Sequence, residues 1–399
     1  MSEWMTTTLG ESGAWLSGGT PNTSRPDYWG GDIPWISAAS LKEFQVQDSD
    51  RRVTAEGVMN GTRLVPLNAI LMVVRGMSLK SEFRMGITRR EVAFGQDCKA
   101  LIARPDIHPM FLAYAIKAKT PEILALVDEA GHGTGRLQTD RLFGVEIGIP
   151  RSLDEQAATI RLLQALDDKI AVNERIAATA RQLGMALFGQ ASLEGDLMQV
   201  DVASVSSVLT RGIAPKYSES SDDVTVLNQK CVRDGRVNLA PARRTLSEKV
   251  KAQKLLHRND VLVNSTGVGT LGRVARWTFD SPATVDSHIT IVRFNEVRVD
   301  PVCAGFALLL AQPEIEEMGE GSTGQTELRR AQLGDMEITL PSRARQQMLR
   351  ADLDALEERA DRALAESQTL AALRDTLLPQ LMSGRLRVKD AEKIVEDHT

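Results

Sequence analysis

The sequence predicts an α+β protein made of two tandem mixed α/β domains, each followed by a long helix. Three observations carry this prediction. The chain has 399 residues, two to three times the usual single-domain length, so it divides into units that each bury a core. It also repeats itself. A shift of 191 positions places Leu137, Leu142, Glu146, Ile147, Pro150 and Gln156 on Leu328, Leu333, Glu337, Ile338, Pro341 and Gln347. One more residue of shift places Pro109 on Pro301 and Pro121-Glu122-Ile123 on Pro313-Glu314-Ile315. A period this long excludes a solenoid and indicates a duplicated domain. Finally, after Pro150 and after Pro341 short β-like runs give way to heptads.

In the first copy, Gly18-Gly19-Thr20-Pro21 and Tyr28 to Ile36 alternate turn residues with aromatic and β-branched ones, the pattern of short strands. Ala69 to Val74 reads as a buried strand running into a polar, basic loop, and Val261-Leu262-Val263 does the same in the second copy. Short helices are predicted at Phe111 to Lys117 and Val302 to Leu310. Leu163, Leu166, Ile170, Asn173, Ala177, Ala180, Gly184 and Leu187 follow the three-four spacing of a heptad seam. Leu349, Leu353, Leu356, Ala360, Ala363, Ser367, Leu370, Arg374 and Leu377 repeat it. Small residues in the middle of both seams permit close backbone approach, and Asp154-Glu155 supplies the charge a helix N-terminus favours. A helix of roughly forty residues is about 60 Å long, more than such a domain is wide, which suits a spacer that packs against its counterpart.

Composition narrows the function. With 42% apolar and 25% charged residues the chain is ordinary for a globular protein, and its longest uncharged apolar stretch, Val302 to Ala311, is half a bilayer span. Met-Ser-Glu-Trp opens no secretory signal, and Cys98, Cys231 and Cys303 form no Cys-x-x-Cys, so the expectation is a reduced, cytoplasmic chain without a cysteine-built zinc site. A net charge of −5 argues against a generic polyanion binder. Basic charge is instead local. Arg75 to Arg90 carries five Lys or Arg against Glu82, and Lys230 to Arg258 carries nine against Asp234 and Glu248. One such stretch in each half of an acidic chain points to a nucleic-acid surface.

Catalytic patterns are missing. The sequence has no His-Glu-x-x-His, Gly-x-Ser-x-Gly, Walker loop or Pro-Pro dipeptide, which excludes the Asn/Asp-Pro-Pro-Tyr/Phe of amino-methyltransferases. Gly267-Val268-Gly269-Thr270-Leu271-Gly272 fits Gly-x-Gly-x-x-Gly, but a dinucleotide site needs a helix to follow, and Arg273-Val274-Ala275-Arg276-Trp277 reads as a strand. A Gly-rich turn between strands is expected there, with backbone N–H groups and small polar side chains that can reach phosphates or base edges. A nuclease pairing of Pro105-Asp106 with Asp167-x-Lys169 is disfavoured because Asp167 falls on an exposed face of the heptad helix. His132 and His288 read as polar loop residues.

Several stretches together resemble a known family. Gly18-Gly-Thr-Pro-x-Thr followed by Tyr28-Trp-Gly-Gly-Asp-Ile-Pro-Trp-Ile-Ser is similar to the opening of a type I restriction-modification specificity subunit. So are Arg75 to Lys80, Gln96 to Leu101 and Gly131 to Leu137. Pro150-x-x-x-Asp154-Glu155-Gln156 leading to Leu166-Asp167-Asp168-Lys169-Ile170, Asn264 to Arg273, and Leu377-Leu378-Pro379-Gln380-Leu381-Met382-Ser383-Gly384 complete the series. The order of these motifs within a duplicated chain makes the resemblance specific. The second copy departs at its helix start, where Arg343-Ala344-Arg345-Gln346-Gln347 replaces the Asp-Glu-Gln form.

The resemblance implies two target-recognition domains, residues 1–151 and 193–341, each reading one part of a bipartite, asymmetric double-stranded DNA target. Spacer helices 152–192 and 342–388 would form an antiparallel coiled coil that sets the gap, followed by a tail over 389–399. The chain itself would carry no cofactor and no catalytic residue. S-adenosylmethionine and ATP would sit on partners, namely two modification (methyltransferase) subunits that methylate adenine N6 and the restriction subunits. Candidate DNA-facing residues are Arg75, Ser78, Lys80 and Arg84 in the first half, and Asn264, Ser265, Thr266, Gly267 and Arg273 in the second. Leu166, Ile170, Leu356 and Leu370 on the helices are the candidates for partner binding. The competing readings are a stand-alone DNA-acting enzyme, which lacks a recognisable site, and a coiled-coil adaptor, which leaves the paired basic stretches unexplained.

Overall fold

The computed structural model describes residues 4–130, 134–319 and 327–397. They fall into two units, one formed by the chain up to Val172 together with the segment from Glu366 onward, the other by Asn173–Ala365. Each long helix, Leu153–Ala191 and Arg343–Met382, therefore contributes a part to both units.

In the first unit the strand Ile70–Val73 is buried at every position, as an uninterrupted apolar run requires. It lies inside a five-stranded sheet ordered Gly13–Ser17, Cys98–Ala103, Ile70–Val73, Met85–Thr88, Gln45–Val46. A second sheet pairs Trp29–Ile36 in parallel with Val92–Phe94. The helix Pro109–Ala118 buries Phe111, Leu112, Tyr114 and Ile116 in the same core. Trp4–Thr8 closes the domain by pairing antiparallel with Glu146–Pro150.

The second unit repeats this plan. Ser206–Arg211, Ile289–Phe294, Val261–Asn264 and Val274–Arg276 form the sheet in that order, and Val224–Leu227 pairs in parallel with Ala283–Val285. Leu197–Asp201 pairs antiparallel with Glu337–Pro341 in the same five-residue register as the first unit's closing strands. The apolar run read from the sequence is the helix Pro301–Leu310, buried except at its last residue. Both this helix and Pro109–Ala118 begin with proline, whose missing N–H costs nothing in the first turn. The caps differ. His108 Nδ1 accepts from the Met110 N–H at 3.2 Å, whereas the Asp300 carboxylate accepts from Val302 and Cys303 at 3.0 and 3.1 Å.

The duplication extends to the point where each long helix leaves its domain, and here the structure corrects the alignment. Gln156, fully buried, accepts from the His108 N–H at 2.7 Å and donates to the carbonyls of Pro150 and Asp106 at 2.8 and 3.1 Å. Gln346, also fully buried, accepts from the Asp300 N–H at 2.8 Å and donates to the Pro341 carbonyl at 2.7 Å. Gln156 thus corresponds to Gln346, one residue earlier than the 191-residue shift placed it on Gln347. The Asp-Glu pair is lost in the second copy, but the glutamine that clamps helix to domain is kept.

The helices pair antiparallel within each unit. In the first, Ser367 Oγ donates to the Ile170 carbonyl at 3.4 Å, Lys169 meets Glu366 at 3.2 Å, and Arg374 meets Asp167 at 2.6 Å. In the second, Ala177 and Ala180 pack with Ala360 and Ala363, the small residues the heptads placed at mid-seam. Near its end the first seam drifts, so that Phe188 rather than Leu187 is the fully buried residue, stacked 6.1 Å from Phe306.

Two further expectations change. Asp167 is not on an open face: besides Arg374 it accepts from the Tyr114 hydroxyl at 2.6 Å, and its side chain is only 17% exposed. The carboxylate is spent on holding the helix pair to the first domain, so no nuclease pairing with Asp106 arises. The segment expected as a tail carries a helix, Val388–Glu396, with Ala391 buried against the first core.

Candidate nucleic-acid interface

Both basic or Gly-rich loops leave the end of the same central strand, and the same backbone bonds hold them. In the first unit the Val74 N–H donates to the Asp97 carbonyl at 2.8 Å, and the Leu137 N–H donates to the Val74 carbonyl at 2.9 Å. In the second the Ser265 N–H donates to the His288 carbonyl at 2.8 Å, and the Leu328 N–H to the Ser265 carbonyl at 2.9 Å. Beyond these anchors Arg75–Gly76 pairs antiparallel with Thr134–Leu137, setting Arg75 opposite Arg136, while Thr266 bridges to Glu327. Gly131 to Gly133, part of the first-half motif that includes His132, lie outside the described residues.

The first loop is open and positively charged. After Gly76 a 3-10 turn, Met77–Lys80, is pinned by the buried Leu79. Arg75 and Lys80 are exposed, and Ser78 is half-buried. Among the described residues Lys80 has only a 4.0 Å contact with Glu129, of little energetic weight at such exposure. Arg84 differs: it is half-buried and held by Glu82 at 2.8 Å, so it braces the loop.

The second loop is held internally. Val274–Arg276, a strand, follows the Gly-rich turn, so no helix N-terminus is present to receive a pyrophosphate. Asn264 and Ser265 are fully buried, which overturns their expected position facing DNA. Asn264 Nδ2 donates to the carbonyls of Gln229 and Thr270 at 3.0 and 3.1 Å, and Ser265 Oγ shares a 2.6 Å bond with Thr290. These side chains build the turn. Thr266 is part of a small polar cluster, bonded to Gln229 Nε2 at 2.7 Å and to His288 Nδ1 at 2.8 Å. Gly267 has φ of +106°, in the region that favours glycine, and Arg273 folds back to the Gly269 carbonyl at 2.7 Å. Val268, 81% exposed, is the tip.

Much of the basic stretch from Lys230 to Arg258 is likewise engaged. Arg236 meets Asp361, Arg243 stacks 3.7 Å from the Tyr217 ring centroid, Arg244 donates to the Asp223 carbonyl, and Arg258 to the Thr278 carbonyl. Lys254 bonds Thr210, and burial, followed by the charges of Arg330 and Lys251, holds its ammonium below the usual lysine range. Lys230 and Lys251 remain exposed with no ion pair among the described residues.

Sequence reasoning missed two residues at the first loop. Arg136 and Asp97 lie in stretches already singled out, but only the strand pairing shows that they flank Arg75. With Val74, Gln96, Leu137 and Thr139 these three line a concavity of about 260 Å³. Among the described residues there is no cluster of three or more His, Cys, Asp or Glu side chains suited to a metal, and no helix long and apolar enough to cross a membrane. Burial pushes the Cys98 thiol, beneath this loop, up to about 12, which leaves it a packing residue.

The helix residues expected to bind partners are occupied as well. Leu166 and Leu370 are buried, Leu356 packs on the alanine cluster, and Ile170 is half-buried beside Ser367. All four make the helix seam. The exposed apolar side chains on the helices are instead Leu153, Val172, Leu183 and Met348.

Residues 1–182 match the family model of the type I restriction modification DNA specificity domain. The chain is 30% identical over 167 residues to the type I restriction enzyme EcoR124I/EcoR124II specificity subunit of Escherichia coli, a match covering 41% of each chain. It is 22% identical over 424 aligned positions to the MjaIX specificity subunit of Methanocaldococcus jannaschii, covering 97% of this chain and 94% of that one. The chain is thus similar to type I specificity subunits, in its first copy by the family model and over nearly its whole length by the MjaIX subunit. Its fold agrees with that of a type I restriction-modification S subunit from M. genitalium, with a TM-score of 0.62 at 15% identity over 96% of both chains. The family model covers the first copy of the duplicated domain and most of its helix, and the match to the MjaIX subunit spans both copies.

Proposed function

We propose that this chain is the DNA-reading subunit of a type I restriction-modification system, acting without chemistry of its own. Each globular domain reads one half of a bipartite target through the loop that leaves its central strand. The helix pair spaces the halves, modification subunits carrying S-adenosylmethionine dock on it, and ATP-driven restriction subunits join them. The observation that carries this reading is one scaffold present twice with unlike loops, in a chain similar to type I specificity subunits. Unlike readers suit an asymmetric target, since identical ones would read a palindrome. Partner contacts are better sought at Val172, Leu183 and Met348 than at the seam leucines.

Two measurements test it. Purified alone with S-adenosylmethionine and DNA, the chain should transfer no methyl group, and transfer should appear on adding a modification partner. Deleting seven residues within Ala171 to Ala186 and seven within Ala355 to Leu370 keeps the seam in phase and shortens each helix by about 10 Å. On DNA that varies only the gap, the preferred gap should contract by roughly three base pairs while both half-sites stay the same. An unchanged gap in the folded variant would separate the helices from spacing.

A further inference from the structure

Arg75 and Arg136 stand directly opposite each other on antiparallel strands, both exposed, with no ion pair among the described residues. Like charges in that relation destabilise a sheet unless something external neutralises them. The Asp97 side chain, which lines the same concavity, also has no hydrogen bond or ion pair among the described residues, not even to the arginines beside it. The wall thus presents two forked donors and one carboxylate acceptor, beside Gln96 and Thr139, and none of their side chains is committed elsewhere among the described residues. Among the described residues the second unit has no such arrangement. At the three corresponding positions it has Thr266, His288 and Glu327, the first two bonded to each other and the third held by Arg211 at 2.8 Å.

A phosphate would satisfy the arginines but would be repelled by Asp97. A ligand that offers a pair of acceptors beside a donor satisfies all three. In the major groove a guanine presents two acceptors, O6 and N7, one for each guanidinium, and its cytosine presents an N4 amino group to a carboxylate. We infer that Arg75, Arg136 and Asp97 form a reading site for one G·C base pair, a device the second unit lacks. This rests on the DNA-reading role proposed above.

The test uses the complete complex with its modification subunits, measuring binding to the cognate duplex, to duplexes substituted at single positions, and to random duplex at several salt concentrations. Arg136→Ala should lose roughly five- to 150-fold discrimination at one G·C position of one half-site, leaving the other half-site unchanged. Arg136→Lys keeps the charge without the fork, so it should restore binding to random duplex but not the discrimination. Asp97→Ala should relax the same position. Equal weakening on all duplexes, with the salt slope reduced by about one, would show phosphate contacts and overturn base reading. Unchanged affinity, slope and discrimination in all three variants would overturn the site altogether. Failure of the unsubstituted complex to prefer any sequence would instead refute the DNA-reading role itself.

Discussion

The two loops rest on identical backbone anchors and differ in almost every side chain beyond them. Val74 and Ser265 occupy one position, each donating its N–H across the sheet and accepting from a leucine N–H, Leu137 or Leu328. One residue later the first unit has Arg75, its side chain exposed and without an ion pair among the described residues, while the second has Thr266, bonded to both Gln229 and His288. The difference teaches that the hydrogen-bonded frame is what the duplication preserved, and that the side chains mounted on it were free to diverge. A frame of this kind can change its side chains without refolding.

The comparison can be broken first at the frame. Gln156→Ala and Gln346→Ala each strand two or more buried backbone groups, so each should destabilise its own unit by about 3 kcal/mol, and by similar amounts. Hydrogen exchange of the amides in each unit checks this. A large loss in one unit and none in the other would mean that the two glutamines are not equivalent clamps.

The loops should differ next. A Cβ at Gly267 would lie 2.5 Å from Thr270 Oγ1 and 2.7 Å from Gln229 Oε1, on top of a φ of +106°. At Gly76 the φ is +151° and the nearest atom 3.9 Å away. Gly267→Ala should therefore cost about 3 kcal/mol and Gly76→Ala about 1 kcal/mol, read from exchange protection around each loop. Equal costs would show that the second loop is no more tightly built than the first.

The smallest effect lies in the caps. Burial holds the His108 imidazole below the ordinary histidine value of 6.5, and its Nδ1 must be unprotonated to accept from Met110. The unfolded chain then binds the proton more readily. Stability from this group is present above the unfolded value and declines as pH falls through it. Amides of Pro109–Ala118 should lose protection between pH 7 and 5, and His108→Asp, which copies the second unit's cap, should remove that dependence. A pH dependence that survives the substitution would have another source.

Much of this was legible in the sequence. The repeat, the paired helices Pro109–Ala118 and Pro301–Leu310, the heptads and the strand after the Gly-rich turn all follow from periodicity and turn chemistry, which act over a few residues. What was not legible depends on partners far apart in the chain. Asn264 and Ser265 look like loop residues because they precede a glycine turn, yet Gln229 and Thr290 bury them. Asp167 looks solvated by heptad position, yet Tyr114 and Arg374 close over it. Arg136 and Asp97 gain meaning only through the strands that bring them to Arg75.

The central claim, that one frame carries two unlike readers, is tested most directly by mapping every adenine methylated in cells that carry this chain with the modification subunits proposed for it. The expected result is two different half-sequences separated by a fixed number of unspecified base pairs. A single uninterrupted sequence, or two identical halves, would contradict it.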